Sequence, residues 1–356
     1  MTLAIIADDL TGAAELASAA AECGLSAEVQ TRFAPSAAEV IAVDTNTRSL
    51  PPAEAARRVT RVTHEVAEQK PGWIYKKTDS VLRGNLRAEI EAILNVTGLE
   101  RATLIPANPS KGRIIDQGAY YLEGVPLEKT PFANDPDHPR RTSIVRELLG
   151  PSDRISTPDA RNSADLRRHA GELGAETLPA GGVEFFQAIL ERRLGRKPIP
   201  AAPLGKGRLN LYVCGSAFAW NQGRKTQCIL PGIPIFPMPQ NQSAWAPAIV
   251  QSLSSCPSAM AAIGMGEPSP LAPETLALRL ASAVAEVIRM APIDRIYIEG
   301  GATAAALLAQ MNWTRLSAVA TPAWRGVAAL RPLNSSTILI AKPGSYPWPE
   351  EILPAP

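Results

Sequence analysis

The sequence predicts an α/β protein of two domains, each a mostly parallel sheet flanked by helices, with an interdomain cleft. Three observations predict it: short apolar runs alternate with helix-length segments, polar residues collect where the apolar runs end, and periodicity is lost over residues 191–208. In that last stretch, ERRLGRKPIPAAPLGKGR, basic residues, Pro and Gly concentrate as in a linker. A chain of 356 residues is long enough for two cores, and the division is placed to give domains 1–205 and 206–356.

LAIIA, residues 3–7, is a continuous apolar run ended by charge, the pattern of a strand buried on both faces. The Ala-rich residues 13–22 form a helix that Cys23-Gly24 stops. A short strand follows at residues 40–43, and Pro51-Pro52 opens a helix running to about Gln69. GWIYKKTDS is a strand, LRAEIEAIL a helix and RATLIPANPS a strand. Beyond Tyr121 the chain turns irregular, and EKTPFANDPDHPRRTS reads as a long loop. LNLYVCGS opens the second domain, which continues through AMAAIGMG, a helix from Pro273 to Met290, the strand DRIYIEG, a helix after Gly300-Gly301 and the strand STILIAK. In both domains ligands are expected at the carboxyl ends of the strands.

Composition narrows the partners. Thirty-six Lys+Arg against 34 Asp+Glu leave a formal charge of +2, which asks for neither nucleic acid nor a membrane surface. MTLAIIADDL has no basic leader and no run reaches membrane-spanning length, so a cytoplasmic protein is expected. Cys23, Cys214, Cys228 and Cys256 have no metal-ligand spacing and read as reduced thiols. His64, His138 and His169 are scattered and read as surface or capping residues.

Chemistry is carried by the strand exits. Asp8 and Asp9 close the first strand beside a helix N-terminus at Thr11-Gly12, which suits a base or a hydroxyl-binding carboxylate. N-capping by Asp9 or Thr11 accounts for them equally well. Adjacent aspartates lack the D-x-D-x-T spacing of haloacid-dehalogenase-type phosphatases. KKTDSVLRGN sets Asp79, Ser80, Arg83, Gly84 and Asn85 in one turn: Arg83 offers a fork for a carboxylate, while Ser80 and Asn85 can bond hydroxyls. An Arg83–Asp79 surface pair is the alternative, and at least one of Lys76 and Lys77 is expected on a solvated face. PANPSKGR adds Gly112, with Lys111 and Arg113 as anion contacts. In the second domain Gly215-Ser216, Gly264, Gly300-Gly301 with Thr303, and Lys342 with Gly344 mark strand ends where backbone N–H groups can approach a phosphate. Packing explains a Gly-Gly turn as readily, and neither G-x-x-x-x-G-K-[ST] nor G-x-G-x-x-G is present.

Taken together, IADDLTGAAELA, VDTNTRS, KKTDSVLRGN, PANPSKGRIIDQGAYYLEGVPL, TPFANDPDHPRRTSIVRELL, GS at 215–216 and GGATA at 300–304 resemble, in order, the motifs of the four-carbon acid sugar kinases. The resemblance covers nearly the whole chain. It implies an amino-terminal domain for a threonate, erythronate or 3-oxo-tetronate and a carboxyl-terminal domain for ATP with Mg²⁺. Asp9 or Asp8 would orient or deprotonate the attacked hydroxyl, Arg83 would hold the substrate carboxylate, and Ser80, Asn85 and Arg113 would complete that site. Ser216, Gly264, Gly300, Gly301, Thr303, Lys342 and Gly344 would hold the nucleotide; no metal ligand is assigned. Partners would be the sugar acid and ATP, with a homodimer as the assembly to test. KPGSYP departs from the family's K-x-G-x-F-G, with Tyr346 for Phe and Pro347 for Gly, and Gly181-Gly182 stands where G-S is expected. A second reading, a sugar-acid sensor without kinase activity, therefore stays open.

Overall fold

The computed structural model describes residues 3–135, 138–201, 204–205, 207–215, 232–239, 243–264, 271–321, 324, 326–343, 348–349 and 352. The chain divides into two compact units, Met1–Ile199 and Pro200–Pro356. Among the described residues no helix is long and apolar enough to cross a membrane.

In the first unit β1 (Leu3–Ala7), β2 (Ala27–Gln30), β3 (Val40–Asp44), β4 (Trp73–Lys77), β5 (Arg101–Ile105), β9 (Ile155–Ser156) and β10 (Thr177–Gly181) form a parallel sheet in the order β2-β3-β1-β4-β10-β5-β9. Helices α1 (Leu10–Glu22), α2 (Pro52–Glu68), α3 (Leu86–Thr97) and α5 (Ser163–Glu172) connect these strands, the short α4 (Val145–Leu149) precedes β9, and α6 (Val183–Leu194) follows β10. One core joins Ile6, Ile41 and Val43 of the sheet to Val59, Val62 and Val66 of α2 and to Ile90 and Ile93 of α3. Those helix residues recur at three- and four-residue spacing, which gives each helix a single apolar stripe. The apolar strand runs follow from burial on both faces of the sheet.

The connection leaves β1 toward β2 and β3 on one side and reaches β4 on the other, so the strand order reverses around β1. Such a switch point opens a crevice at the carboxyl ends. The register levels those ends: Ala7 pairs with Asp44 on one side and Lys77 on the other.

Residues 113–126, where no element is expected from the sequence, form a small antiparallel sheet of β6 (Arg113–Asp116), β7 (Ala119–Leu122) and β8 (Val125–Pro126). Its two turns are Gln117-Gly118 and Glu123-Gly124, all four residues having positive φ. That is the hairpin geometry matched to strand twist, and an x-Gly pair between apolar runs is the sequence signal for it. The linker expected over 191–208 begins later: α6 continues to Leu194, its last turn carrying Arg192 and Arg193 before left-handed Gly195 ends it. Basic residues there suit the helix C-terminus, so they did not mark a break.

The second unit repeats the scheme. β11 (Asn210–Cys214), β12 (Ile235–Pro237), β13 (Ser258–Ala262), β14 (Arg295–Glu299) and β17 (Ile338–Lys342) are parallel in the order β12-β13-β11-β14-β17, and β16 (Ala328–Pro332) and β15 (Arg315–Val319) extend the β17 side antiparallel. Helices α7 (Trp245–Leu253), α8 (Pro273–Met290) and α9 (Gly301–Gln310) belong to it. Here the order reverses around β11, and Cys214 is level with Glu299, which is level with Lys342.

Candidate functional site

Three turns meet at the level exits of β1, β3 and β4. After β1, Asp8 is nearly fully buried, and Asp9 caps α1 by accepting from Gly12 N at 2.8 Å and from the Thr11 hydroxyl. The turn after β3 is pinned beneath them, since Thr47 N and Arg48 N both donate to the Asp8 carbonyl. Arg48 thereby faces both carboxylates. Its Nε donates to Asp8 Oδ2 at 2.7 Å, its Nη2 to Asp8 Oδ1 at 3.2 Å and its Nη1 to Asp9 Oδ2 at 2.8 Å. Asp79 Oδ1, from the turn after β4, lies 3.6 Å from the same Nη1. Arg48 is the hub that the candidate residues lacked. Its sequence signals are its place in a polar strand exit and in the VDTNTRS segment, and neither names its partners, which lie about forty residues back in the chain.

The turn after β4 is built around Asp79. Oδ2 accepts from Val81 N, Arg83 N and Arg83 Nε, and Oδ1 accepts from Arg83 Nη2 at 2.9 Å. The paired edge of the Arg83 fork therefore faces Asp79, and Nη1 reaches Asp135 at 3.5 Å. Gly84 has φ +87, and a Cβ there would stand 3.3 Å from Asp8 Oδ2, so the turn needs glycine both for its backbone and for its approach to the aspartate. Asn85 donates its amide to the carbonyls of Thr47 and Leu50, tying the β4 exit to the β3 exit. The Arg113 guanidinium meets the Ser80 hydroxyl, and the Tyr120 hydroxyl donates to the Ser80 carbonyl at 2.6 Å.

The expectation of a solvated lysine is corrected. Lys76 and Lys77 are both buried, because β4 lies inside the sheet and α1 and α3 pack beside it. Each instead finds a carboxylate: Lys76 Nζ lies 2.7 Å from Glu89 Oε2, and Lys77 Nζ lies 3.3 Å from Glu15 Oε2. Lys111 reaches the other Glu15 oxygen at 3.3 Å, joining the 106–113 loop to α1.

These charges set one another's protonation. Burial would raise Asp8, Glu15 and Asp79, but the cations beside them prevail: Arg48 and Lys76 hold Asp8 below its usual range, Lys77 and Lys111 do so for Glu15, and Arg48 and Arg83 hold Asp79 far below. Asp44 goes the other way. Burial first, then the Asp9 and Asp8 carboxylates, push it up to about 7. Asp44 thus titrates near neutrality while Asp8 and Asp79 stay ionised. His169 is buried rather than superficial, its ring nitrogens each 2.9 Å from an oxygen, Glu172 Oε2 and the Asp159 carbonyl.

In the second unit Gly300 has φ +111 and Gly301 begins α9. Thr303, one turn in, is buried with its hydroxyl unpartnered among the described residues, and a Cβ on Gly215 would collide with that hydroxyl. Lys342 is buried and pairs with Glu299 at 2.7 Å across the strand register; burial lowers its pKa against the pull of Glu299. Gly264 follows β13, and among the described residues no atom lies within 4 Å of where its Cβ would stand. Ser216 and Gly344, like Cys228, Tyr346 and Pro347, lie outside the described residues. The N–H groups of Gly215 and Gly300 donate to the Glu299 and Lys342 carbonyls at 2.9 and 3.0 Å, which ties the β11, β14 and β17 exits to one another.

Comparison with known proteins bears on the same segment. The profile of the sugar-binding N-terminal domain family matches residues 3–186. A D-erythronate kinase of Heliobacterium modesticaldum is 35% identical over 192 residues, 52% of this chain and 41% of that protein. A D-threonate kinase of Salmonella typhimurium is 33% identical over 200 residues, 54% of this chain and 47% of that protein. The chain spans about half the length of the curated relatives it matches. The crystal structure of a Haemophilus influenzae protein of the DUF1537 family shares the fold, with a TM-score of 0.71 at 20% identity over 97% of both chains.

Proposed function

Because the chain belongs to the sugar-binding N-terminal domain family, we propose that it binds a four-carbon sugar acid and phosphorylates one of its hydroxyls with ATP. Threonate, erythronate and 3-oxo-tetronate are the candidate acids, following the names of its relatives. The observation that carries this reading is the convergence of Asp8, Asp9, Arg48, Asp79 and Arg83 at the switch point of the matched segment.

In this reading Asp9 and Asp8 orient the accepting hydroxyl. Asp8, held ionised by Arg48 and Lys76, is a good acceptor but a weak base, and phosphoryl transfer asks chiefly for positioning. The hydroxyl oxygen forms a bond to the γ-phosphorus, the bond to the ADP oxygen breaks, and the hydroxyl proton leaves to a carboxylate or to water. Ser80, Arg83, Asn85 and Arg113 frame the acid. Gly264, Gly300, Gly301, Thr303 and Lys342 take the nucleotide, with Ser216 and Gly344 as its remaining expected contacts. Mg²⁺ would arrive with ATP and neutralise charge between its phosphates. A protein using ATP in this way belongs in the cytoplasm, and a homodimer is its proposed assembly, to be checked by light scattering.

The test is thermal-shift screening of the acids with and without Mg·ATP, since a ligand at 100 times its dissociation constant adds about 2.7 kcal/mol. Stabilisation by an acid, together with ADP release, supports the kinase. Stabilisation by an acid with no response to ATP selects the sensor, and no response to any acid sinks both.

A further inference from the structure

The loop between β8 and α4 carries a guanidinium that nothing above uses. Arg140 is 9% exposed. Its Nη1 donates to the Leu82 carbonyl at 2.7 Å and its Nε to the His138 carbonyl at 2.7 Å. Both acceptors are neutral. Among the described residues no carboxylate lies within ion-pair distance of Arg140, whereas Arg48 and Arg83 are each bonded to one directly.

The contrast extends to their acidity. Arg48 and Arg83 are raised because their aspartates outweigh burial; Arg140 is lowered, burial outweighing Asp79 and Asp135 at longer range. Asp79 and Asp135 are both engaged with Arg83. A buried cation without a counter-ion is costly unless a ligand brings one. A guanidinium has five N–H donors, so Arg140 retains donors beyond the two that these carbonyls take.

Its position is set by backbone strain at the same turn. Leu82 has φ +64, a conformation that a leucine adopts only under constraint, and the carbonyl it presents is the one Arg140 holds. Arg140 is thereby fixed one residue from Arg83, whose own paired edge is occupied by Asp79. We propose that Arg140 grips the carboxylate of the acid substrate, supplying the planar two-point contact that Arg83 spends on Asp79. This deepens the reading of the site as one for a sugar acid and rests on it.

The experiment compares wild type, Arg140→Lys and Arg140→Gln for calorimetric binding of D-threonate and D-erythronate and of the neutral alditols threitol and erythritol, with ADP release measured separately. In wild type the acids should bind at least about tenfold more tightly than the alditols, a bidentate charged contact being the difference. Arg140→Gln, which can still donate to the Leu82 carbonyl, should lose that preference; Arg140→Lys should keep part of it; KM for ATP should not move. Equal wild-type binding of acids and alditols overturns the inference without any variant. Acid preference surviving in both variants overturns it too, as does parallel loss of acid and alditol binding, which marks a folding role. An acid preference that depends on Arg140 in a protein releasing no ADP supports the inference and sinks only the kinase.

Discussion

Arg48 and Asp8 face each other through two parallel hydrogen bonds, Nε to Oδ2 at 2.7 Å and Nη2 to Oδ1 at 3.2 Å, although 40 positions separate them in the chain. The pair closes the β3 exit over the β1 exit. Asp8 has almost no access to water, so its charge depends on this partner.

Replacing Arg48 with Met should therefore cost about 3 kcal/mol or more, the usual result of stranding a buried carboxylate. Urea denaturation measures it. A loss under about 0.5 kcal/mol would class Arg48 with ordinary surface positions.

Arg83→Lys keeps the charge but loses the fork that orders Asp79. Turnover of the acid should fall by more than about tenfold, or about 1.4 kcal/mol in kcat/KM. Kinetics equal to wild type would take Arg83 out of the site.

Asp44 gives the stability a distinctive pH dependence. Its folded pKa of about 7 lies above the unfolded value, so the folded state binds more protons between the two. The stability it contributes is complete below about pH 4 and is lost as pH rises toward 7. Asp8, Asp79 and Glu15, held low, act oppositely and lose theirs as the solution turns acid. Asn keeps the oxygen that accepts from Asn46 N and removes the titration. Asp44→Asn should gain on wild type by roughly 1 to 3 kcal/mol between pH 5 and 8. Parallel stability curves for the two proteins would exclude this role.

Gly301→Val places a branched side chain at the start of α9, directly after Gly300, whose φ of +111 already demands glycine. KM for ATP should rise while calorimetric binding of the acid stays nearly intact. Equal loss of both ligands indicates misfolding, and loss of neither makes the turn a packing device.

What the sequence by itself determined was local. The buried strands β1, β3, β4, β5, β11, β14 and β17 are legible as apolar runs because each is covered on both faces, and α2 and α8 announce themselves by an opening proline. Asp8, Asp9, Asp79 and Arg83 could be marked as site residues for the same reason, since each lies within a few positions of a strand end. The four-residue β2 and the two-residue β9 have too few positions to show a period, and β10, TLPAG, contains proline and glycine that argue against a strand. Only the tertiary structure decided which charges meet. Arg48 finds Asp8 and Asp9, Glu15 bridges Lys77 and Lys111, and Arg140 reaches Leu82 across 58 positions. A guanidinium or ammonium on a flexible stem carries no periodic signal. Its partner is set by strand order and register, and here the reversal of strand order around β1 and the level ends of β1, β3 and β4 bring the aspartates and arginines into one crevice.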